Sequence, residues 1–387
     1  MKVLITTDLF TVRTNGVVTS THNLIDELRA RGHDVKVITF SENGKSRKDG
    51  DVYYVGSVGL EWIYPNLRFS LSRAGKFVKE IVAWRPDVIH SQCEWFSMGF
   101  AKRVSKKTGA PIVHTYHTMY EDYVGYATPF KSFGKWYVRE IATRRNLKKM
   151  AAIIAPTGKV KDNLINHCKV RNRIEVIPSG ICLDKHKIDF SDADRREGRA
   201  KYGFNDSHFV LVNLGRLGTE KNLQEVITYF SGVSEKHENA RLLIVGGGPA
   251  REELEALAAK LNVSDRVVFA GMVEPNDVAR YYRLGDLFVC ASTSETQGLT
   301  YIEAAANGLP LLCRHDTCYD GVMIDGENGF RYTTFEEYDE HLDYIMANPE
   351  WCKSAGVRSL EVATHYDRPV FGAAVESLYL DAIASKS

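Results

Sequence analysis

The chain reads as an α/β protein built from two doubly wound, parallel-sheet domains in tandem, and three observations predict it. Short apolar runs of strand length alternate along all 387 residues with segments of helical period. The alternation halts in a polar stretch at 184–204 and then starts afresh. The length also allows two hydrophobic cores of ordinary domain size.

In the first half, the spacing predicts strands at Lys2–Thr6, Val35–Phe40, Asp87–His90, Pro111–Thr115, Ala151–Ala155 and Arg173–Ile177. A helix is expected at Thr19–Arg31, stopped by Gly32. The stretch 184–204, rich in Asp, Arg and Lys, reads as a linker running into a helix. Beyond it, strands are expected at Phe209–Asn213, Ala240–Val245, Arg266–Ala270, Leu287–Ala291 and Leu309–Cys313. A helix from Leu299 to Asn307 should stop at Gly308 and Pro310. The domains expected are residues 1–183 and 184–366, with a C-terminal helix at about 367–387 packing back on the first. In sheets of this kind, ligands bind at the C-terminal ends of the strands.

Apolar content of 44% and charged content of 26% are those of a soluble globular protein. The net charge of +1 conceals a division: residues 1–190 hold 31 Lys and Arg against 18 Asp and Glu, and the remainder is acidic. Opposite halves suggest an anionic surface as partner of the first and a well-neutralised ligand for the second. Seven scattered cysteines without a C-x-x-C pair argue against both zinc and a disulfide framework. Met1–Asp8 is a strand ending in a carboxylate, not the apolar run of a signal peptide, and no run approaches the length of a bilayer span. The expectation is a cytoplasmic protein that touches the membrane from its inner face.

The most informative segment is Ser294-Glu295-Thr296-Gln297-Gly298-Leu299-Thr300-Tyr301-Ile302-Glu303. Glu295 follows a strand, Glu303 lies about a turn into the next helix, and the amides around Gln297, Gly298, Leu299 and Thr300 open that helix. A helix N-terminus takes an anionic phosphate, while two carboxylates accept hydroxyls of a sugar and of a ribose. The loop Gly215-Arg216-Leu217-Gly218-Thr219-Glu220-Lys221-Asn222, also after a strand, presents two cations suited to a diphosphate leaving group. In the first half, Asn15-Gly16-Val17 offers amides to a phosphate, and His117 in Tyr116-His117-Thr118 sits where a strand ends. Asp192-Ala193-Asp194 is better read as a helix start capped by Ser191 or Asp192 than as a metal site. Gly246-Gly247-Gly248-Pro249 reads as a tight turn admitting a ligand, with Pro249 starting a helix.

With the Gly32-His33-Asp34-Val35 and Pro178-Ser179-Gly180-Ile181 segments, these motifs resemble the retaining glycosyltransferases of family 4 over nearly the whole chain. The resemblance implies the GT-B fold, two facing Rossmann-like domains with a cleft between them. It implies that Arg216 and Lys221 bind the donor diphosphate, Glu295 the transferred sugar and Glu303 the ribose, with Gly16 near phosphate and His117 at the reacting centre. Asn15 stands where many members carry a second glycine. Val113–Tyr123 and Thr296–Tyr301 are similar to the bacterial 1,2-diacylglycerol 3-alpha-glucosyltransferases. These make glucosyl-diacylglycerol, a membrane glycolipid and lipoteichoic-acid anchor, from UDP-glucose. The implied catalytic set is His117, Arg216, Lys221 and Glu295, with UDP-glucose as donor and no cofactor or metal required.

A lipid acceptor has support of its own. On an α-helical wheel of 131–150, Phe133, Trp136 and Leu147 gather on one side and Lys131, Lys135, Arg139, Arg145 and Lys149 on the other. Trp62, Tyr64, Arg68, Phe69, Arg73, Lys76 and Lys79 form a second basic, aromatic region. An anionic membrane fits better than nucleic acid, for which no reading motif is present. No obligate protein partner is implied. Within the same fold, transfer of glucose or galactose to a glycosylated lipid, or of mannose to a phosphatidylinositol-like acceptor, stays open. So do a nucleotide-sugar epimerase or phosphorylase and a non-catalytic sensor of nucleotide sugars.

Overall fold

Parallel strand pairing organises both halves of the chain. The computed structural model describes residues 1–11, 15–59, 68–70, 74–119, 134 and 136–386. It divides into one unit of Met1–Gly180 with Arg368–Ser387, and a second of Ile181–Asp367.

The first unit holds β1 (Lys2–Thr6), β2 (Asp34–Ser41), β3 (Arg47–Asp49), β4 (Val52–Gly56), a small pair β5 (Val58–Gly59) and β6 (Arg68–Phe69), then β7 (Val88–Ser91), β8 (Ile112–Thr115), β9 (Ala152–Ala155) and β10 (Ile174–Val176). Eight of these form one sheet in the order β10-β9-β8-β7-β1-β2-β4-β3, parallel except for the β3–β4 hairpin. The β3 and β4 strands were not expected. Apolar residues cover both faces of the sheet, which is why its strands read as continuous apolar runs. The order reverses between β1 and β7, whose residues pair from Val3↔Val88 to Thr6↔Ser91. Ligands of such sheets bind at this reversal, beyond the strand ends.

The helix after β1 runs Gly16–Ala30, opening three residues ahead of the expected Thr19. Asn15 explains it: its backbone is extended, at φ −122°, and its side chain accepts the Val17 amide at 2.8 Å. A capping asparagine is thus consistent with this loop, and no left-handed residue is needed at position 15. The last helix, Arg368–Ala384, buries Phe371, Val375, Leu378 and Tyr379 against Leu24, Leu28, Val3 and Ile5 of the first unit. Its Tyr379 hydroxyl lies 2.6 Å from Nδ1 of buried His90.

The second unit contains β11 (Phe209–Leu214), β12 (Ala240–Val245), β13 (Val267–Gly271), β14 (Leu287–Cys290), β15 (Leu311–Arg314) and β16 (Gly329–Tyr332), the last unexpected. The sheet order is β13-β12-β11-β14-β15-β16, with cores on both faces. Its reversal lies between β11 and β14, joined by Leu211↔Leu287 and Val212↔Phe288. This sheet order therefore assigns the loops after β11 and β14 to one crevice.

Candidate functional site

The loop after β11 carries Arg216 and Lys221, and the loop after β14 carries Glu295. The fold of the second unit brings them together. Lys221 Nζ lies 2.5 Å from Glu295 Oε1, and the two side chains are 28% and 15% exposed. Arg216 pairs instead with Glu220 of its own loop while staying largely exposed. Ser294 ties the loops by donating to the Glu220 carbonyl at 3.0 Å. At the next strand end, Arg314 reaches both carboxylate oxygens of Glu225 at 2.8 Å.

Two glycines set this geometry. Gly246, at φ 137°, lies so close to the Arg216 loop that a Cβ there would stand 1.8 Å from the Gly215 carbonyl oxygen. The triple glycine therefore admits the 215–217 backbone, and Leu217 N–H bonds the Gly247 carbonyl at 3.0 Å. The helix after it begins at Arg251, two residues beyond Pro249. Gly298, at φ 70°, turns the chain into the helix Leu299–Ala306, where a Cβ would meet the buried Tyr301 ring at 2.4 Å. A side chain would be strained at Gly298 on both counts.

The first-turn amides of that helix, at Leu299 and Thr300, have no intrahelical acceptor, as at any helix start. Gln297 is buried just before it. Glu303 sits one turn inside, accepting from the Tyr282 hydroxyl at 3.0 Å. Burial pushes its carboxyl up to about 7, against the opposing effect of that hydrogen bond. Cations, amides and acceptor carboxylates gathered at one strand-end crevice can take a multiply charged anion bearing hydroxyl groups.

His117 and Gly16 belong to the first unit. Gly16 is exposed at its helix start. His117 follows β8, with Nε2 2.7 Å from Gln92 Oε1. Burial and nearby His114 hold its ring neutral, its pKa lowered to about 3. Around the β1–β7 reversal lie groups that sequence reasoning missed. His114 Nε2 and Glu94 Oε1 are 2.9 Å apart and almost wholly buried. Asp8, directly beyond β1, accepts the Ser97 amide at 2.7 Å, and burial pushes its carboxyl up to about 6. Among the described residues, buried Gln92 Nε2 and His114 Nδ1 find no hydrogen-bond partner. The cluster's one signal in the sequence was position: each of Asp8, Gln92 and Glu94 stands just past an apolar strand.

Other expectations resolve differently. Ser191 caps the helix Asp192–Ala200 and Asp194 completes the capping box, so the D-x-D acid is occupied as a cap. Among the described residues, His237, Asp339 and Asp343 come close enough to hold a cation, yet Lys236 already pairs with both carboxylates. A cavity of about 430 Å³ lies at the opposite, N-terminal end of β11. There buried Arg199 is fully engaged by Leu284 and His208 carbonyls and by Asp286, which makes the arginine a structural brace.

The basic helix needs a correction. Lys131, Phe133 and Lys135 lie outside the described residues, as do Trp62, Tyr64, Arg73 and Tyr120–Tyr123. Of the rest, Leu147 is fully buried but Trp136 is 46% exposed, beside Tyr137 at 43%. The expected wheel assumed an α-helix, whereas Val138–Arg145 is π-helical. Its i→i+5 bonds put more residues in each turn, so residues on either side lose their α-helical register. Trp136 and Tyr137 thus share the exposed surface with Arg144, Arg145, Lys148 and Lys149. In the second region, Arg68 is held by Ser57 and the Glu42 carbonyl, both at 2.9 Å, and Phe69 packs on Phe96. Among the described residues no helix is long and apolar enough to cross a membrane.

Comparison with known proteins agrees with this fold. Residues 14–185 match the family model described as Glycosyltransferase Family 4, and residues 194–359 that of glycosyl transferases group 1. The alpha-monoglucosyldiacylglycerol synthase of Streptococcus pneumoniae is 32% identical over 100% of this chain and 87% of its own length. That of Acholeplasma laidlawii is 33% identical over 99% of this chain and 98% of its own. Among solved structures, a sucrose-phosphate synthase from Thermosynechococcus elongatus superposes with TM-score 0.78 at 20% identity, covering 99% of each chain. Anabaena HepE in complex with UDP gives 0.78 at 16% identity, covering 98% of this chain and 100% of its own. The chain belongs to glycosyltransferase family 4: it is a hexosyltransferase of the GT-B class, with a Rossmann-like sheet in each unit.

Proposed function

We propose that this enzyme transfers glucose from UDP-glucose to the free hydroxyl of diacylglycerol, with retention, to give α-glucosyl-diacylglycerol. The observation that carries the proposal is the end-to-end similarity to two proteins named alpha-monoglucosyldiacylglycerol synthase. The exposed aromatic and basic surface of the 136–149 helix supports a lipid acceptor met at an anionic membrane. On this reading the enzyme works peripherally on the inner face of the cell membrane.

In the reaction, the bond between the anomeric carbon and the β-phosphate oxygen breaks, and the acceptor oxygen bonds to that carbon on the same face. The acceptor's proton passes to the departing diphosphate. Arg216, Lys221 and the amides of Leu299 and Thr300 stabilise the charge that builds there. Glu295 orients the sugar and Glu303 the ribose. His117, neutral at working pH, donates or accepts a hydrogen bond at the reacting centre without adding charge. On this reading Arg216, Lys221 and the helix amides neutralise the diphosphate in place of a divalent ion, and turnover that a chelator abolishes would overturn that part of it. The test supplies the purified protein with UDP-glucose, UDP-galactose and GDP-mannose and with vesicles containing diacylglycerol. Product should form from UDP-glucose, its anomeric configuration read by NMR. Absence of glucosylated diacylglycerol, or a faster reaction with another donor, would reject this assignment.

A further inference from the structure

The pairing inside the second unit carries a consequence for which ligand the site prefers, resting on the donor reading above. Lys221 is not an idle cation: its ammonium is 2.5 Å from Glu295 Oε1, on a loop tied down by Ser294. The same loop end offers the first-turn amides of the helix Leu299–Ala306. A diphosphate arriving at these amides and at Lys221 therefore brings negative charge beside the Glu295 carboxylate. It must loosen the existing ion pair, and it repels the carboxylate it displaces.

We propose that Glu295 and the diphosphate compete for Lys221, and that the sugar of an intact nucleotide sugar settles the competition by giving Glu295 hydroxyl donors in exchange. A carboxylate accepting hydroxyl hydrogen bonds recovers much of what it lost with the ammonium. The nucleoside diphosphate left after transfer has no sugar. It leaves Glu295 next to phosphate charge with nothing in return, and the Lys221–Glu295 pair re-forms as the product departs. The site thereby favours its donor over its product, although the product's diphosphate has one more ionisable oxygen. Arg216 differs, because its partner Glu220 lies in its own loop and pairs with it locally. That pair holds the guanidinium without depending on the sugar.

Isothermal titration of the full-length enzyme with UDP and with UDP-glucose separates these effects. Glu295→Gln removes the competing charge while keeping the side chain's shape. UDP should bind this variant about tenfold more tightly than it binds the wild type. UDP-glucose should bind no better, so the preference for the sugar nucleotide collapses. Glu295→Ala serves as a second variant with the same expected direction for UDP, and thermal unfolding confirms that both are folded. Lys221→Met should weaken both ligands and abolish the gain when combined with Glu295→Gln. If both ligands bind but Glu295→Gln leaves UDP affinity unchanged or weaker, the competition is refuted and the donor site stands. If neither UDP nor UDP-glucose binds the wild type, the donor reading itself fails and the competition with it.

Discussion

The two units present the same topological feature, a strand-order reversal with loops gathered at the strand ends, and furnish it in opposite ways. In the second unit the crevice holds formal charges in partly open pairs, Lys221 with Glu295 and Arg216 with Glu220. In the first unit the equivalent position holds buried groups: the His114–Glu94 pair, a neutral His117 and an Asp8 carboxyl raised toward neutrality. The first unit has exposed cations elsewhere, among them Arg144, Arg145, Lys148 and Lys149. Partly exposed ion pairs can exchange partners with a charged ligand, whereas a buried, neutral group such as His117 offers directional hydrogen bonds and little field. The difference suits a charged donor in one unit and an uncharged hydroxyl acceptor in the other.

The largest expected effect tests whether the first unit's charge acts outside its strand-end cluster. Changing Arg144, Arg145, Lys148 and Lys149 to Ser should lower binding to anionic vesicles by at least about 10²-fold, since each basic residue near such a surface contributes roughly 1 kcal/mol. Raised salt should mimic the loss, and UDP affinity should persist. Co-sedimentation with neutral and anionic vesicles measures it; indifference to lipid charge would reduce the helix to an ordinary solvated surface.

Next, Arg216→Ala or Lys221→Ala should lower turnover on the order of 10²-fold, as loss of one group stabilising developing charge does. Near-normal rates in both folded variants would mean that the charged crevice is not where the leaving group resides.

Glu94→Leu probes the neutral crevice. With Glu94 gone, buried His114 loses its recorded partner, and the enzyme should lose about 2 kcal/mol of stability in urea unfolding. UDP titration should change little, because Arg216, Lys221, Glu295 and Glu303 all belong to the second unit. A variant of wild-type stability would show that His114 finds water there.

The smallest effect is one of pH. The Glu303 carboxyl, raised from 4.5 to about 7, is protonated more readily in the folded chain than in the unfolded one. Stability from this group is therefore fully present below about 4.5 and is lost as pH rises through about 7. His117 runs the other way. Its folded pKa is lowered to about 3, so it costs stability as pH falls below its unfolded value of about 6.5. If ribose hydroxyls donate to Glu303, UDP should bind a few-fold more tightly at pH 8 than at pH 6. Glu303→Gln should lack that increment, with the change in UDP's own ionisation cancelled by comparing the two proteins. Parallel pH profiles would take the ribose away from Glu303.

Strand positions were legible because a strand buried on both faces must be apolar throughout, and β1, β7, β11 and β14 each announce themselves that way. From motifs just past those strands and the resemblance to family 4, Arg216, Lys221, Glu295 and Glu303 could be named without coordinates. Local chemistry also set helix starts, although the helix expected from Thr19 opens at Gly16 under the Asn15 cap. The tertiary structure alone decided the rest. Whether Lys221 faces Glu295 or solvent depends on strands β11 and β14 being neighbours, although their loops are 74 residues apart. The burial that moves Asp8, His117 and Glu303 from their ordinary pKa values comes from side chains distant in sequence. The π-helical turns between Trp136 and Leu147 were not legible either, since residue type cannot tell i→i+4 from i→i+5 bonding. Periodicity is local and survives in a one-dimensional chain; partner, burial and helical phase are set by neighbours that only folding supplies.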